Sequence, residues 1–128
     1  MDYEGIVIEE SLASLDVLKR MRIISTSTEP VTERHETPWI SHWTYHTVSI
    51  RETDAPSVAE AISRALDSKH PNSWYADFKN ATSHYVVFRG RVFLIDRRNP
   101  DQYREAQEYG ISRGLPEHQA DFVALIEA

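Results

Sequence analysis

The stretch Ser73 to Asp96, SWYADFKNATSHYVVFRGRVFLID, gathers aromatic and β-branched residues into three short runs separated by turn residues. That pattern is the signature of consecutive β-hairpins. The first run is Trp74 to Lys79, the second His84 to Arg89 and the third Val92 to Asp96. Asn80-Ala81-Thr82 and Gly90-Arg91 connect them. Glycine at the first central position of a two-residue loop suits a type II′ turn, because that position needs a positive φ. A loop at Gly90-Arg91 sets Phe88 opposite Phe93. A three-residue loop at Asn80-Ala81-Thr82 sets Phe78 opposite His84 and Asp77 opposite Tyr85.

Successive side chains on a strand point to opposite faces, so these registers sort the residues into two sets. Trp74, Ala76, Phe78, Val86, Phe88, Phe93 and Ile95 form a core face. Tyr75, Asp77, Lys79, Tyr85, Val87, Leu94 and Asp96 form a second face, too apolar to be fully solvated. A helix, another strand or a second subunit is expected to cover part of it.

Upstream, Tyr3 to Glu9 alternates weakly through Ile6 and Ile8 and reads as a short edge strand. Ser11 can cap a helix carrying Leu12, Leu15 and Leu18 and ending near Lys19 and Arg20. Met21 to Val31 is strand-like, with Pro30 marking an edge position or an end. WISHWTYHTVSI, Trp39 to Ile50, is the longest strand candidate; neither of its faces is cleanly polar, as in a central or bulged strand. Thr53 or Asp54 can cap a helix with Pro56 in its first turn and Val58, Ile62, Ala65 and Leu66 as its buried stripe. Downstream, Asn99, Pro100 and Gln102 give a helix start through Tyr103, Ala106 and Tyr109, with Gly110 as its stop. A last short helix is expected around Phe122, Val123 and Ile126. The order predicts an α+β fold over residues 1–128 as one domain: a mainly antiparallel sheet of about five or six strands with helices packed on one face. A ferredoxin-like arrangement is one form this can take.

Composition narrows the function classes. With 128 residues the chain suits one domain with a substantial core. A formal net charge of −6 and a pI near 5.5 argue against nucleic acid and membrane surfaces as partners. The absence of cysteine removes disulfides, thiolate metal sites and a cysteine nucleophile. No apolar run reaches transmembrane length, and the acidic N-terminus MDYEGIVIEES does not resemble a signal peptide, so the cytoplasm is the expected compartment.

The segments TPWISHWTYHTVSI, SWYADFKN, HYVVFRGRVFLIDR and YGISRGLPEHQADF resemble a family of small conserved prokaryotic proteins of unknown function. The resemblance runs over nearly the whole chain and implies a compact single domain, with no activity or functional residue attached to it.

No phosphate loop, nucleophile elbow or H-E-x-x-H motif is present, and no cofactor or metal is implied. His42 and His46 share a strand face but stand roughly 13 Å apart at about 3.3 Å per residue, too far to ligate one ion. His35 or His84 would have to supply further ligands. Asp77-Phe78-Lys79 matches half of a D-x-K nuclease signature, without a second acidic ligand. Arg89, Arg91, Arg97 and Arg98 make the one basic cluster, read as a solvated hairpin tip in preference to an anion site. Two readings follow from the second face. The first is a binding or interaction module that self-associates, as a homodimer in the simplest case, through Trp43, Tyr45, Tyr75 and Tyr85. The alternative is a small-molecule-binding protein or small enzyme using Tyr75, Asp77 and Lys79, with Tyr85 beside Asp77.

Overall fold

A computed structural model describes residues 1–33, 37, 39–68 and 74–115. The expected last helix, around Phe122 to Ile126, and His35 lie outside the described residues. Among the described residues six strands form one open sheet: β1 (Tyr3–Ile8), β2 (Arg22–Pro30), β3 (His42–Ile50), β4 (Tyr75–Lys79), β5 (Ser83–Phe88) and β6 (Arg91–Asp96). Their order is β2-β3-β1-β4-β5-β6 and every pairing is antiparallel. This is the expected α+β sheet. β1 is not the predicted edge strand but sits at the centre between β3 and β4. Gly5 makes that position possible. It pairs with both Val48 and Phe78, and a β-carbon there would overlap the Asp77 carbonyl oxygen and lie 2.5 Å from Phe78 Cα.

Two helices are named here α1 (Ala55–Ala65) and α2 (Pro100–Ser112). Val58, Ala59 and Ile62 of α1 and the following Leu66 bury themselves with Val7, Val48, Phe78 and Val87. Tyr103 and Ala106 of α2 bury themselves instead with Val86, Phe88, Phe93 and Ile95. Val86 and Val87 are neighbours on one strand and so point to opposite faces. α2 therefore covers the β5–β6 end of the face opposite α1, an addition to the single helical layer expected. Asn99 caps α2 through Oδ1, which accepts from the amides of Asp101 at 3.1 Å and Gln102 at 3.4 Å. Gly110 does not end the helix. It lies inside α2, where a β-carbon would stand 3.0 Å from Leu115 and 3.1 Å from Phe88. The stop comes at Gly114, with φ +98°, as the Leu115 amide returns to the Gly110 carbonyl at 2.9 Å.

The helix expected from Ser11 is replaced by two short 3₁₀ segments, Glu9–Ser11 and Leu15–Arg20, and Ser14 rather than Ser11 caps the longer one. Ser11 is buried, its hydroxyl donating to the Ile8 carbonyl at 2.5 Å. The chain on either side of Leu12 clamps the end of α1. The Ala13 amide donates to the Ala65 carbonyl and the Asp67 amide to the Ser11 carbonyl, both at 2.7 Å.

The hairpin registers differ from those the turn residues suggest. Four residues, Asn80 to Ser83, separate the paired Lys79 and His84, so Phe78 faces Tyr85 and Asp77 faces Val86. The reason is the Asn80 side chain, whose Oδ1 accepts from the Thr82 amide at 3.0 Å and the Ser83 amide at 2.9 Å and closes a longer turn. A shift of one residue exchanges faces. Ala76 and Phe78 accordingly lie with Tyr85 and Val87, whereas Tyr75, Asp77 and Lys79 lie on the side of His84, Val86 and Phe88. At the next turn the loop is Arg89-Gly90, with Phe88 opposite Arg91 and Gly90 at φ +77°. Ser63 Oγ fixes this loop by accepting from the Gly90 amide at 2.8 Å and donating to the Phe88 carbonyl at 2.7 Å. The register moves in a way that keeps the faces, so Phe88 and Phe93 still meet, now diagonally, edge to face at 6.0 Å.

Two substitutions test this packing by urea denaturation. Phe88→Ala is expected to cost about 3 to 5 kcal/mol, the range for deleting a buried aromatic ring. Gly5→Ala is expected to cost about 3 kcal/mol, since the added carbon meets backbone that cannot rotate away. An unchanged midpoint for Gly5→Ala would show that β1 does not approach β4 closely.

Candidate functional site

β1, β3 and β4 expose one face of the sheet between edge strand β2 and helix α2. Cross-strand pairing puts Ile6 between Thr47 and Asp77, and Glu4 between Ser49 and Lys79. Tyr75, Asp77 and Lys79 therefore share this open face, as the alternation of β4 requires. A shallow cleft of about 380 Å³ opens here, lined by Glu4, Gly5, Ile6, Thr47, Lys79, Asn80 and Arg97. Ile6 forms its apolar floor and is 46% exposed.

Tyr85 is not part of this group. Its expected place beside Asp77 is corrected by the β4–β5 register, which turns it to the opposite face, buried against Tyr3 at 5.3 Å and Phe78 at 4.9 Å. Trp43 is also interior. Its indole N–H donates to Thr37 Oγ1 at 2.9 Å and its ring lies 5.2 Å from Trp74. Tyr45 is half-buried, and its hydroxyl donates to the Glu29 carboxylate.

Val86 takes the position opposite Asp77 that Tyr85 was expected to fill, and the polar partner of Asp77 is its diagonal neighbour His84. It is fully buried, with Nε2 2.7 Å from Asp77 Oδ2 and Nδ1 2.9 Å from the Tyr103 hydroxyl. A carboxylate can only accept, so Nε2 donates to Asp77, while Nδ1 and the Tyr103 hydroxyl share the second hydrogen bond of the ring. Tyr103 oxygen is in turn bonded by the Arg97 side chain. Arg97 also donates through Nη1 to the Asn80 carbonyl at 2.6 Å. A hydrogen-bonded chain runs from Arg97 through Tyr103 and His84 to Asp77. A cation at the cleft wall is thereby linked through buried groups to a carboxylate beside the cleft floor. Sequence reading missed His84 and Tyr103 in this role. The available signal was a single histidine within a strand of apolar residues, which needs a polar partner once buried.

The two other described histidines, His46 and His42, have structural partners. His46 is buried on the α1 face, with Nδ1 2.9 Å from Thr26 Oγ1 and Nε2 3.0 Å from Glu9 Oε1. His42 Nε2 lies 3.5 Å from Glu10, which also accepts from the Thr44 amide and hydroxyl. Among the described residues no group of three or more His, Asp or Glu side chains is placed to hold a metal ion. The arginine cluster is dispersed. Arg89 donates to the carbonyls of Arg64 at 3.0 Å and Leu66 at 2.8 Å at the end of α1, and Arg91 lies over the Phe93 ring at 4.7 Å.

Four phenols have their pKa raised. Burial is the main cause in each, joined by the Glu29 hydrogen bond at Tyr45, by Asp77 at Tyr75 and by Tyr3 at Tyr85. At Tyr103 burial prevails over the opposing pull of Arg97.

No protein-family profile, no curated protein and no solved structure matches the chain.

The raised phenols predict a pH dependence. Above the ordinary value of 10.0 the unfolded chain releases phenolic protons that the folded chain still holds. Stability is then full below that pH and falls as pH rises toward the folded values. Urea unfolding followed from neutral pH upward should show a constant midpoint and then a decline. Tyr103→Phe should start about 1 to 3 kcal/mol lower, because His84 Nδ1 loses its hydrogen-bond partner, and then decline less steeply.

Proposed function

We propose that the protein is a binding module that self-associates as a homodimer. The surface used is the free edge of β2, in place of the aromatic face expected from sequence. What supports this is one observation: all nine residues of β2 are exposed, and among the described residues β2 ends the sheet with only β3 beside it. Such an edge presents unpaired amides and carbonyls that template another strand. Ile24 sits at a register shift against β3, and between Arg22 and Glu29 every residue is Ile, Ser or Thr. In antiparallel self-pairing the Arg22 end of one strand lies beside the Glu29 end of the other, so the edge is complementary to itself in charge. The homodimer is proposed to work in the cytoplasm, on the acidic, cysteine-free composition, and without nucleic acid as a partner. Membership in the small prokaryotic family that SWYADFKN and HYVVFRGRVFLIDR resemble is part of the same proposal. No helix among the described residues is long and apolar enough to cross a membrane.

A second reading, small-molecule binding on the open face, is favoured by the cleft over Ile6, with Lys79 and Arg97 on its wall. Its volume falls at the lower end of the range for ligand sites, about 300 to 1,000 Å³.

Sedimentation equilibrium tests the first reading. The parent protein is expected to be a dimer at tens of micromolar, and Ile24→Lys with Ser27→Lys to be a monomer of unchanged circular dichroism. A parent that remains monomeric, or a double variant that remains dimeric, removes β2 as the interface.

A further inference from the structure

We propose that the β2 homodimer forms in a single register, with its two-fold axis at Thr26 and the β-bulge at Ile24 as the device that sets it. This inference rests on the homodimer reading and deepens it. An edge strand of Ile, Ser and Thr, exposed throughout, has no buried face to hold it in place and is free to slip against a partner. Symmetry removes some of the slips. Residues directly opposed in an antiparallel pair point to the same face, so the axis passes where a residue meets its own copy and never between two neighbours.

The pairing with β3 counts off the positions that remain. Thr26 lies beside His46, and Ser27, Thr28 and Glu29 lie beside Tyr45, Thr44 and Trp43, which puts Glu29 three rungs from Thr26. In the other direction Ser25, Ile23 and Arg22 lie beside Thr47, Val48 and Ser49. Ile24 is the extra residue of the bulge, so Arg22 is also three rungs away. With the axis at Thr26, Arg22 of each copy therefore stands opposite Glu29 of the other, once at each end of the ladder. Without the bulge Arg22 would fall opposite Pro30, which has no amide proton to offer. No other axis brings Arg22 opposite Glu29, and parallel pairing sets like charges side by side. Glu29 accepts from the Tyr45 hydroxyl, and its carboxylate has lone pairs for a guanidinium as well. At the centre Thr26 meets its own copy, its Oγ1 2.9 Å from His46 Nδ1, and Ser25 meets Ser27 on either side. Hydroxyl pairs of this kind stabilise facing strands. The axis stands perpendicular to the sheet, so both α1 helices cover one face of a continuous sheet and both α2 helices the other.

The chain contains no cysteine, so single cysteines report the register directly. Full-length Ser25→Cys, Thr26→Cys and Ser27→Cys proteins are oxidised, and covalent dimer formation is followed on non-reducing gels, with circular dichroism as the check on folding. The α-carbons of directly opposed residues stand about 4.5 to 5.5 Å apart, within reach of a disulfide. Residues two rungs from their own copy stand about 8 Å apart, beyond that reach. Thr26→Cys is expected to cross-link about tenfold faster than either neighbour alone. An equal mixture of Ser25→Cys and Ser27→Cys is expected to cross-link faster than either of its components, a readout that keeps Thr26 and its His46 contact intact. If Ser25→Cys or Ser27→Cys alone cross-links fastest, or all rates are equal, the Thr26 axis is overturned while the homodimer stands. Absence of cross-linking overturns the axis alone where the parent sediments as a dimer, and the homodimer with it where the parent sediments as a monomer.

Discussion

The buried imidazole of His84 is the constraint on which the register of the sheet depends. A histidine removed from water must have both ring nitrogens satisfied, and leaving either unpaired costs about 1 to 3 kcal/mol. Asp77 and Tyr103 meet this need from two different elements, β4 and α2. A slip of one residue in the β4–β5 pairing would turn His84 to the α1 face, among Phe78, Val87 and Val48, where no such pair of partners waits. The same bonds fix the position of α2 along β5, because Tyr103 reaches His84 only from one turn of the helix. The register that Asn80 closes at the turn is thus reinforced, and the docking of α2 fixed, by a single polar group in an apolar setting.

Hydrophobic alternation made the strands of this chain legible. Both runs later occupied by β3 and β4 to β6 stand out by their aromatic and β-branched residues, and the start of α2 by Asn99 and Pro100. What alternation cannot supply is which residues face each other. The turn residues suggest a three-residue loop, yet the Asn80 side chain accepts hydrogen bonds from two backbone amides and lengthens the turn by one residue. That single residue separates a site containing Tyr85 from one containing His84. At Gly90 the loop was also misplaced, but there the displacement preserved the faces, so the core partners Phe88 and Phe93 survived it. The central position of β1 was hidden for a different reason. Its short, weak alternation resembles an edge strand, while the decisive residue, Gly5, has no side chain for a pattern to detect.

The two polar systems of the molecule divide between the two faces. On the α1 face, His42 and His46 hold Glu10 and Glu9, which tie the first 3₁₀ segment to β3. These contacts take up side chains that, in the sequence, suggest a metal site. On the other face, Asp77, His84, Tyr103 and Arg97 join the sheet to α2. Their outer members reach solvent beside Ile6 and at the cleft wall. The first system closes a surface and the second borders an open one.

Net charge describes this arrangement poorly. The chain is acidic by six charges, yet the groups around the cleft are Lys79, Arg97 and Glu4, close to balance. Much of the basic character near the hairpins is spent internally: Arg89 on the carbonyls that end α1, Arg91 on the ring of Phe93, Arg97 on Asn80 and Tyr103. Of these only Arg97 combines internal bonds with a place on the cleft wall. Its donors to Asn80 and Tyr103 hold it beside Lys79, so the chain that locks the β4–β5 register also sets a cation against the open face. The restraint that stabilises the fold and the wall of the open cleft therefore share one side chain, Arg97.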